Sequence, residues 1–138
     1  MNFIINTDGA SRGNPGPASY GYIIKTLEGV IMHQEGKVIG VTTNNIAEYT
    51  AVFASLGYIQ KRWGSKAPHK IEVVTDSQLI AMQLSGKYKI KNAGLKVVFD
   101  AIKLLEMELG EISYRNVPRA QNFIADRLAN QALDNLKT

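Results

Sequence analysis

The spacing of hydrophobic residues changes near residue 43, and this change limits the folds that the chain can adopt. Before it, short runs rich in β-branched and aromatic residues predict strands over 3–7, 19–26 and 30–38, with a hairpin turn at Glu28-Gly29. After it, apolar residues recur at steps of three and four over 44–62, as one face of a helix requires. The remaining elements alternate between strands and helices.

Two further strands are predicted over 71–75 and 112–117. Helical spacing marks a short helix over 79–84 that Ser77 can cap, a stripe from 95 to 105 and a final stripe from 125 to 136. The first three strands form an antiparallel meander, whereas strands joined by helices must cross over and lie parallel. The order therefore predicts an α/β fold, a mixed sheet with helices packed on its faces.

Length and composition predict one domain over residues 1–138, because no repeat, low-complexity tract or linker interrupts the chain. The chain has no cysteine, and His33 and His69 are its two histidines, so any metal would be held mainly by oxygen ligands. No signal peptide and no apolar run of about 20 residues is present, which favours the cytoplasm and no membrane contact. The net charge of +4 fits either a solvated basic surface or a polyanionic partner.

Four acidic residues occupy positions that could converge in such a fold. Asp8 and Asp76 end or directly follow strands, Glu48 lies in about the first turn of the first long helix, and Asp126 lies in the first turn of the last. Clustered carboxylates raise one another's pKa unless a cation compensates them, and oxygen ligands select Mg²⁺ or Mn²⁺. Taken singly, each acid is more typical of a structural position, in a turn or at a helix N-terminus, than of a metal site.

The segments around these acids carry a family resemblance. They are 8–18, 42–49, 75–78 and 122–126. With them, the sequence resembles the type 1 ribonuclease H family from about residue 3 to residue 136. The resemblance implies a ribonuclease H-like fold, with a five-stranded mixed sheet of three antiparallel strands and then parallel crossovers, and with helices on both faces.

The resemblance also implies an activity and a cofactor. Asp8, Glu48, Asp76 and Asp126 look like the catalytic acids that bind two Mg²⁺ ions, which Mn²⁺ can replace. The implied reaction is endonucleolytic hydrolysis of the RNA strand of RNA–DNA hybrids, leaving 5′-phosphate and 3′-hydroxyl ends. The hybrid would be the partner of a monomer that needs no other protein.

Further polar residues match the positions that bind substrate in the family. Asn14, Asn44, Asn45 and Gln78 look like the residues that contact the minor groove of the hybrid, where 2′-hydroxyls distinguish RNA from DNA. Thr43 and Asn92 look like part of a pocket for a phosphate of the DNA strand.

The sequence departs from the family pattern in two places. Many relatives carry a histidine in the loop before the last acid, whereas the loop 116–122 has none. Arg119 is the obvious substitute; we expect it to assist turnover by holding a phosphate or the leaving group, although an exposed loop arginine without a role fits equally. The segment 85–94 is too short for the basic helical protrusion of some relatives, and its lysines at 87, 89 and 91 are either a smaller phosphate contact or a solvated loop.

Other readings of the sequence stay open. Another nuclease of the same fold, or a non-catalytic hybrid-binding domain, could carry the same acids. A fragment of a polymerase-linked chain is a third, although the start at Met1 and the end after the last helix favour a free-standing enzyme. Trp63 is expected to pack at the end of the first long helix, with no role in substrate binding.

Overall fold

A computed structural model describes residues 1–136 of the chain. The elements follow the predicted order, with five strands and four α-helices. They are β1 (Asn2–Ser11), β2 (Gly16–Lys25), β3 (Ile31–Thr42), α1 (Asn44–Trp63), β4 (His69–Thr75), α2 (Gln78–Leu84), α3 (Ala93–Leu109), β5 (Gly110–Asn116) and α4 (Phe123–Asp134), with a single 3₁₀ turn at Arg119–Asn122.

The strands form one mixed sheet in the order β3-β2-β1-β4-β5. β1, β2 and β3 pair antiparallel, while β4 pairs parallel with both β1 and β5. Helix α1 contacts Gly9 of β1, and helix α4 contacts Gly21 of β2. Gly21 pairs with Asp8 and shares its face of the sheet, whereas Gly9, the next residue after Asp8, points to the other face. Helices α1 and α4 therefore pack on opposite faces. The predicted five-stranded mixed sheet with helices on both faces is therefore confirmed.

The three antiparallel strands extend further than hydrophobic spacing predicted. β1 continues past Thr7 to Ser11, since its last residues pair with the start of β2. β3 continues past Val38 to Thr42 through an irregularity in pairing near Gly40, which has a positive φ of 92°. Hydrophobic spacing does not identify polar and glycine-rich segments as strands. These segments are strands because a neighbouring strand supplies their hydrogen bonds.

The helices begin where the sequence offers capping side chains. Thr43, Ser77 and Asn92 each accept a hydrogen bond from the backbone N–H three residues on, at 3.2, 3.2 and 3.0 Å. The segment between α2 and α3 contains no helix, as predicted for a chain without the protrusion. The final helix ends at Asp134, whereas the predicted stripe ran to residue 136. Leu136 therefore lies beyond the end of the helix.

The main core lies between α1 and the sheet, with α3 packed alongside. Tyr49, Val52, Leu56 and Ile59 form the buried face of α1. Trp63 packs at the end of this helix, with its ring centroid 4.8 Å from that of Phe3, as predicted. Within residues 1–136, no helix is both long enough and apolar enough to cross a membrane.

Candidate active site

Glycine at position 9 brings α1 close to the strand that carries Asp8. A Cβ atom at Gly9 would lie 2.3 Å from the backbone nitrogen of Glu48 and 2.5 Å from the carbonyl carbon of Ala47, far inside contact distance. Only glycine therefore lets the helix approach this closely. The Asp8-Gly9 pair is thus no turn, and the expectation that Asp8 ends its strand is wrong, because β1 continues to pair with β2 beyond it.

A second glycine brings α4 to the same place from the opposite face. Gly21 pairs with Asp8 across the antiparallel strands, and a Cβ there would lie 2.4 Å from the Ala125 carbonyl oxygen and 2.7 Å from the Ala129 nitrogen. Asp126 follows Ala125 directly and lies in the first turn of α4, as predicted. Two helices on opposite faces therefore deliver acids to one point on the sheet.

The sheet is open at that point on one side. β4 pairs with β1 only as far as Asn6 and Val74, and Asp76 follows directly after β4. Side chains from both faces can meet beyond this last pair, because no strand lies beside Asp8 there. Ligand sites of open α/β sheets occur at such places, where strands diverge at their carboxyl ends.

Asp8, Glu48 and Asp76 form a compact group, which we call the three-acid group. Each offers an oxygen within 4.8 Å of the oxygens of the other two. Asp8 is 5% exposed and Glu48 is 7% exposed. Among the residues described, none of the three forms an ion pair with a lysine or arginine.

Burial and mutual repulsion raise the pKa of all three carboxyls. Burial raises the pKa of Asp8 to about 9, helped by the charge of Asp76 and by contact with the Asp126 carboxyl. Burial and the charge of Asp76 raise the pKa of Glu48 to about 7. The pKa of Asp76 is raised mainly by burial, and the charge of Arg119 opposes this. The group would be fully ionised at neutral pH only with a cation bound.

The residues fit a hard divalent cation. All donors are carboxylate oxygens, and the absence of cysteine and the distance of both histidines from the site leave no soft ligand. His33 stacks on Tyr58 at 3.7 Å between ring centroids, and His69 contacts the Gly64 carbonyl oxygen at 2.7 Å. A ligand set of this kind suits hard divalent ions such as Mg²⁺, Ca²⁺ and Mn²⁺.

Asp126 lies beside the three-acid group but is held by different partners. Its Oδ1 accepts hydrogen bonds from Arg119 Nη2 at 3.2 Å and from Asn130 Nδ2 at 3.1 Å. The Arg119 side chain is 76% exposed and belongs to the 3₁₀ turn, where the sequence suggested a loop. Arg119 therefore lines the same cavity as the acids, and its partner there is a carboxylate.

The site opens as a cavity of about 260 Å³. It is lined by residues from β1, α1, α4 and the two connections that precede α2 and α4. These are Asp8, Gly9, Ala10, Ser11, Asn44, Glu48, Asp76, Arg119, Asp126 and Asn130. All four predicted acids and Arg119 thus share one cavity with one of the predicted groove-binding amides.

The other predicted substrate residues lie around this cavity. Asn14 joins the wall through Asn44, because its Oδ1 accepts a hydrogen bond from the Asn44 backbone N–H at 3.1 Å. Asn45 is half-buried in the first turn of α1, and Gln78 is exposed at the start of α2, two residues after Asp76. None of Asn14, Asn45 and Gln78 lines the cavity itself.

Thr43 and Asn92 lie outside the cavity, at the N-termini of α1 and α3. Each caps its own helix. The two helix starts are close, since a Cβ at Gly94 would lie 3.2 Å from Asn92 Oδ1 and 3.6 Å from Ile46 Cδ1. Two adjacent helix N-termini offer backbone N–H groups and a favourable dipole to an anion, which suits the predicted phosphate contact.

Two site residues were missed from the sequence. Asn130 lies four residues after Asp126 on α4, a spacing that places two side chains together on a helix. Asn122 is 1% exposed and ties the start of α4 to β1, donating from Nδ2 to the Thr7 carbonyl oxygen at 2.8 Å and accepting from Asn6 Nδ2 at 3.0 Å. The helical spacing was a usable signal for Asn130, whereas the Asn122 contact spans 115 residues.

Comparison with known proteins places the chain in a family. The model of the reverse transcriptase-like family matches residues 6–132. A ribonuclease HI of Halobacterium salinarum is 40% identical over 127 residues, which cover 92% of this chain and 62% of that protein. A bifunctional protein of Mycobacterium tuberculosis is 39% identical over 135 residues, or 97% of this chain. The chain spans only 36% of the length of that mycobacterial relative.

The fold agrees with solved structures at the same level. LC11-RNase H1, solved in complex with an RNA/DNA hybrid, superposes with a TM-score of 0.91 at 41% identity, and the match covers 96% of both chains. Fold and site together define a ribonuclease H-like domain. The chain belongs to the type 1 ribonuclease H family.

Proposed function

We propose that this chain hydrolyses the RNA strand of RNA–DNA hybrids endonucleolytically, leaving 5′-phosphate and 3′-hydroxyl ends. The observation that carries the proposal is the three-acid group, of which Asp8 and Glu48 are buried and none forms an ion pair among the described residues, and which Asp126 adjoins in an open cavity. The similarity of this chain to LC11-RNase H1, which was solved in complex with an RNA/DNA hybrid, supports the choice of substrate. The chain would act as a single ribonuclease H domain over residues 1–138 and as a monomer.

The four acids would hold two Mg²⁺ ions, with Mn²⁺ able to replace them. Asp8 would take part in holding them, since it belongs to the three-acid group and its carboxyl also contacts that of Asp126. When bound, the ions would lower the pKa of the attacking water and offset the charge that develops on the leaving oxygen. The carboxylates would keep the ions in place and lose their own protons to solvent as the ions bind.

The polar residues around the cavity would select the hybrid. Asn14, Asn44, Asn45 and Gln78 would contact 2′-hydroxyls and base edges in the shallow minor groove, because amides both donate and accept hydrogen bonds. Thr43 and Asn92 would hold a phosphate of the DNA strand and so set the register of the RNA strand over the acids. Selection would therefore follow shape and sugar, with little sequence preference.

Arg119 would compensate charge at the rim of the cavity. Its guanidinium interacts with Asp126 and also raises the positive potential near Asp8 and Asp76. It would move to a substrate or product phosphate, for which a planar fork of donors is well suited. It would not transfer protons, because its own pKa is raised further by Asp126 and it stays charged.

A comparison of substrates tests the proposal. Purified protein would be incubated with labelled RNA–DNA hybrid, double-stranded DNA and double-stranded RNA, with Mg²⁺, with Mn²⁺ and with a chelator. We expect metal-dependent cleavage of the RNA strand of the hybrid and products with 5′-phosphate ends. Preferred cleavage of double-stranded DNA would indicate another nuclease of this fold, and binding without cleavage would indicate a non-catalytic hybrid-binding domain.

A further inference from the structure

Asn130 makes a pair of hydrogen bonds that fix the side chain of Asp126. Its Nδ2 donates to Asp126 Oδ1 at 3.1 Å and to the Asp126 backbone carbonyl at 2.9 Å. Asn130 also lines the cavity that contains the four acids. A single amide group thus joins the backbone and the carboxylate of one acid, which leaves that carboxylate little freedom to rotate.

The helix segment that carries Asn130 is itself held from two sides. The Ser19 hydroxyl donates to the Ala129 carbonyl oxygen at 2.5 Å, so this turn of α4 is fixed on β2. Arg12, in the turn after β1, donates to the Asn130 carbonyl oxygen at 3.4 Å and pairs with Asp134 at 2.5 Å. The Asn130 amide therefore starts from a rigid backbone.

The second donor to Asp126 differs in this respect. Arg119 donates to the same oxygen, Oδ1, at 3.2 Å, but its side chain is 76% exposed and reaches in from the 3₁₀ turn. A long, exposed side chain in a single ion pair is easily displaced by another anion. If Arg119 were the sole donor, Asp126 would be free to rotate whenever the arginine moved to a phosphate.

We propose that Asn130 is a positioning residue that orients the Asp126 carboxylate toward a metal ion. Arg119 and Asn130 both donate to Oδ1, so Oδ2 is engaged by neither of them and is the oxygen available to the ion. Arg119 can then move to a phosphate while Asp126 stays in place. The inference rests on the proposed function only in assuming that Asp126 binds metal.

Two substitutions separate the hydrogen bond from simple packing. Asn130→Leu keeps nearly the shape of the side chain and removes the donor, whereas Asn130→Gln keeps an amide. Outer-shell partners of metal ligands typically change metal affinity about 10- to 100-fold. By calorimetry without substrate, we expect Asn130→Leu to bind Mn²⁺ about tenfold more weakly in one of two binding events, and Asn130→Gln to recover most of that affinity.

Controls distinguish positioning from a general loss of structure. Gln131→Ala changes the exposed neighbour on α4 and should leave Mn²⁺ affinity unchanged. Thermal unfolding in a chelator should give similar midpoints for wild type and Asn130→Leu. In steady-state cleavage, Asn130→Leu should raise the metal concentration for half-maximal rate without raising KM for the hybrid, because the residue acts through Asp126.

A double-mutant cycle gives the decisive outcome. On an Asp126→Asn background, Asn130→Leu should cause no further loss of Mn²⁺ affinity, because its effect passes through that carboxylate. Equal affinity of wild type and Asn130→Leu, or an additional loss on the Asp126→Asn background, would overturn the proposal. A wild type that cleaves hybrids while Asn130→Leu binds metal normally leaves the proposed function intact. If Asn130→Leu binds metal more weakly but wild type cleaves no hybrid, the positioning role stands and the proposed function fails.

Discussion

The two parts of the acidic site compensate their charge in different ways. Asp8 and Glu48 of the three-acid group are buried and have no lysine or arginine partner among the described residues, and their pKa values are raised to about 9 and about 7. Asp126 is 26% exposed at its side chain and receives hydrogen bonds from Arg119 and Asn130. The three-acid group needs a cation to balance its charge, whereas Asp126 receives its hydrogen bonds from protein donors.

This difference shows which features of the site are set by folding and which depend on a ligand. Collecting like charges out of water costs free energy, and a divalent ion can recover that cost. Holding a single carboxylate by neutral and cationic donors costs little and fixes its geometry in advance. We therefore expect changes at the three-acid group to alter stability and metal binding together, and changes around Asp126 to alter metal binding or turnover with little effect on stability.

The largest effect on stability is expected for Gly9→Ala. The added Cβ would meet the backbone of α1 at 2.3 Å, and backbone cannot rotate away as a side chain can. Overpacking typically costs about 1 to 3 kcal/mol in the free energy of unfolding, and a clash with backbone lies at the upper end of that range. Chemical denaturation would measure this loss, and metal affinity should fall with it because Glu48 moves away from Asp8.

Gly57→Ala provides the matched control, a glycine-to-alanine change on α1, the helix that Gly9 contacts. Nothing lies within 4 Å of a Cβ at Gly57, and alanine is a better helix former than glycine. We expect this variant to gain up to about 1 kcal/mol of stability and to keep its metal affinity. Equal stability of the Gly9 and Gly57 variants would refute the close approach of α1 to β1.

The metal-free protein should lose stability as pH rises. The folded pKa values of Asp8 and Glu48 lie above their unfolded values of about 3.9 and 4.3, so between about pH 4 and pH 9 the folded state holds protons that the unfolded state has released. Each retained proton lowers stability by about 1.4 kcal/mol per pH unit. Thermal unfolding in a chelator between pH 5.5 and pH 8.5 would measure this slope.

Asp8→Asn should flatten that slope, because an amide carries no proton to lose. The same variant should be more stable than wild type at pH 8 without metal, and it should lose the stabilisation that Mg²⁺ gives to wild type. A pH-independent midpoint for metal-free wild type would show that Asp8 and Glu48 are not buried beside Asp76 as described.

A smaller effect is expected from Arg119→Ala. Asn130 continues to hold Asp126, so Mn²⁺ affinity should change by less than about threefold, while turnover of the hybrid should fall about tenfold, as for loss of a charged hydrogen bond. Arg119→Lys, which keeps the charge but not the planar fork, should recover only part of the rate. Steady-state cleavage together with calorimetry measures both quantities; an unchanged rate and affinity would leave Arg119 without a role.

The smallest effect is expected from the lysines between α2 and α3. If Lys87 and Lys89 contact phosphates, replacing both with alanine should reduce the slope of log K against log salt by about 1.8 for hybrid binding. Lys61 and Lys66 are also exposed but lie near the other end of α1, roughly 20 Å along the helix from Glu48, and they serve as the control pair. Equal slopes for the two double variants would assign Lys87 and Lys89 to a solvated loop.

The order of elements could be predicted from the sequence because each element has its own local spacing. Strand ends could not, as β1 illustrates: Asp8 to Ser11 are strand only because β2 lies beside them. The same long-range pairing explains why Asp8-Gly9 resembled a turn. The glycine is required by the close approach of α1, whose Ala47 and Glu48 lie 38 and 39 positions later in the chain.

The sequence predicted the acidic residues of the candidate site but not the residues that hold them by hydrogen bonds. Asp8, Glu48, Asp76 and Asp126 stand in segments that resemble a family, and the structure brings them to one cavity. The hydrogen bonds that hold them have no such signature. Asn130 is an ordinary asparagine on a helix until Asp126, one turn earlier, is known to lie at the site.

The most direct test compares wild type with Asp76→Asn in cleavage of an end-labelled RNA–DNA hybrid in the presence of Mg²⁺. Asp76→Asn keeps the shape of the side chain and removes one charge of the three-acid group, so it should fold, and without metal it should unfold at a temperature no lower than wild type. We predict that wild type cuts the RNA strand and that the rate of the variant falls about 100- to 1000-fold, as for the loss of an electrostatic catalytic group. Cleavage by Asp76→Asn at the wild-type rate, or no Mg²⁺-dependent cleavage by wild type, would contradict the account.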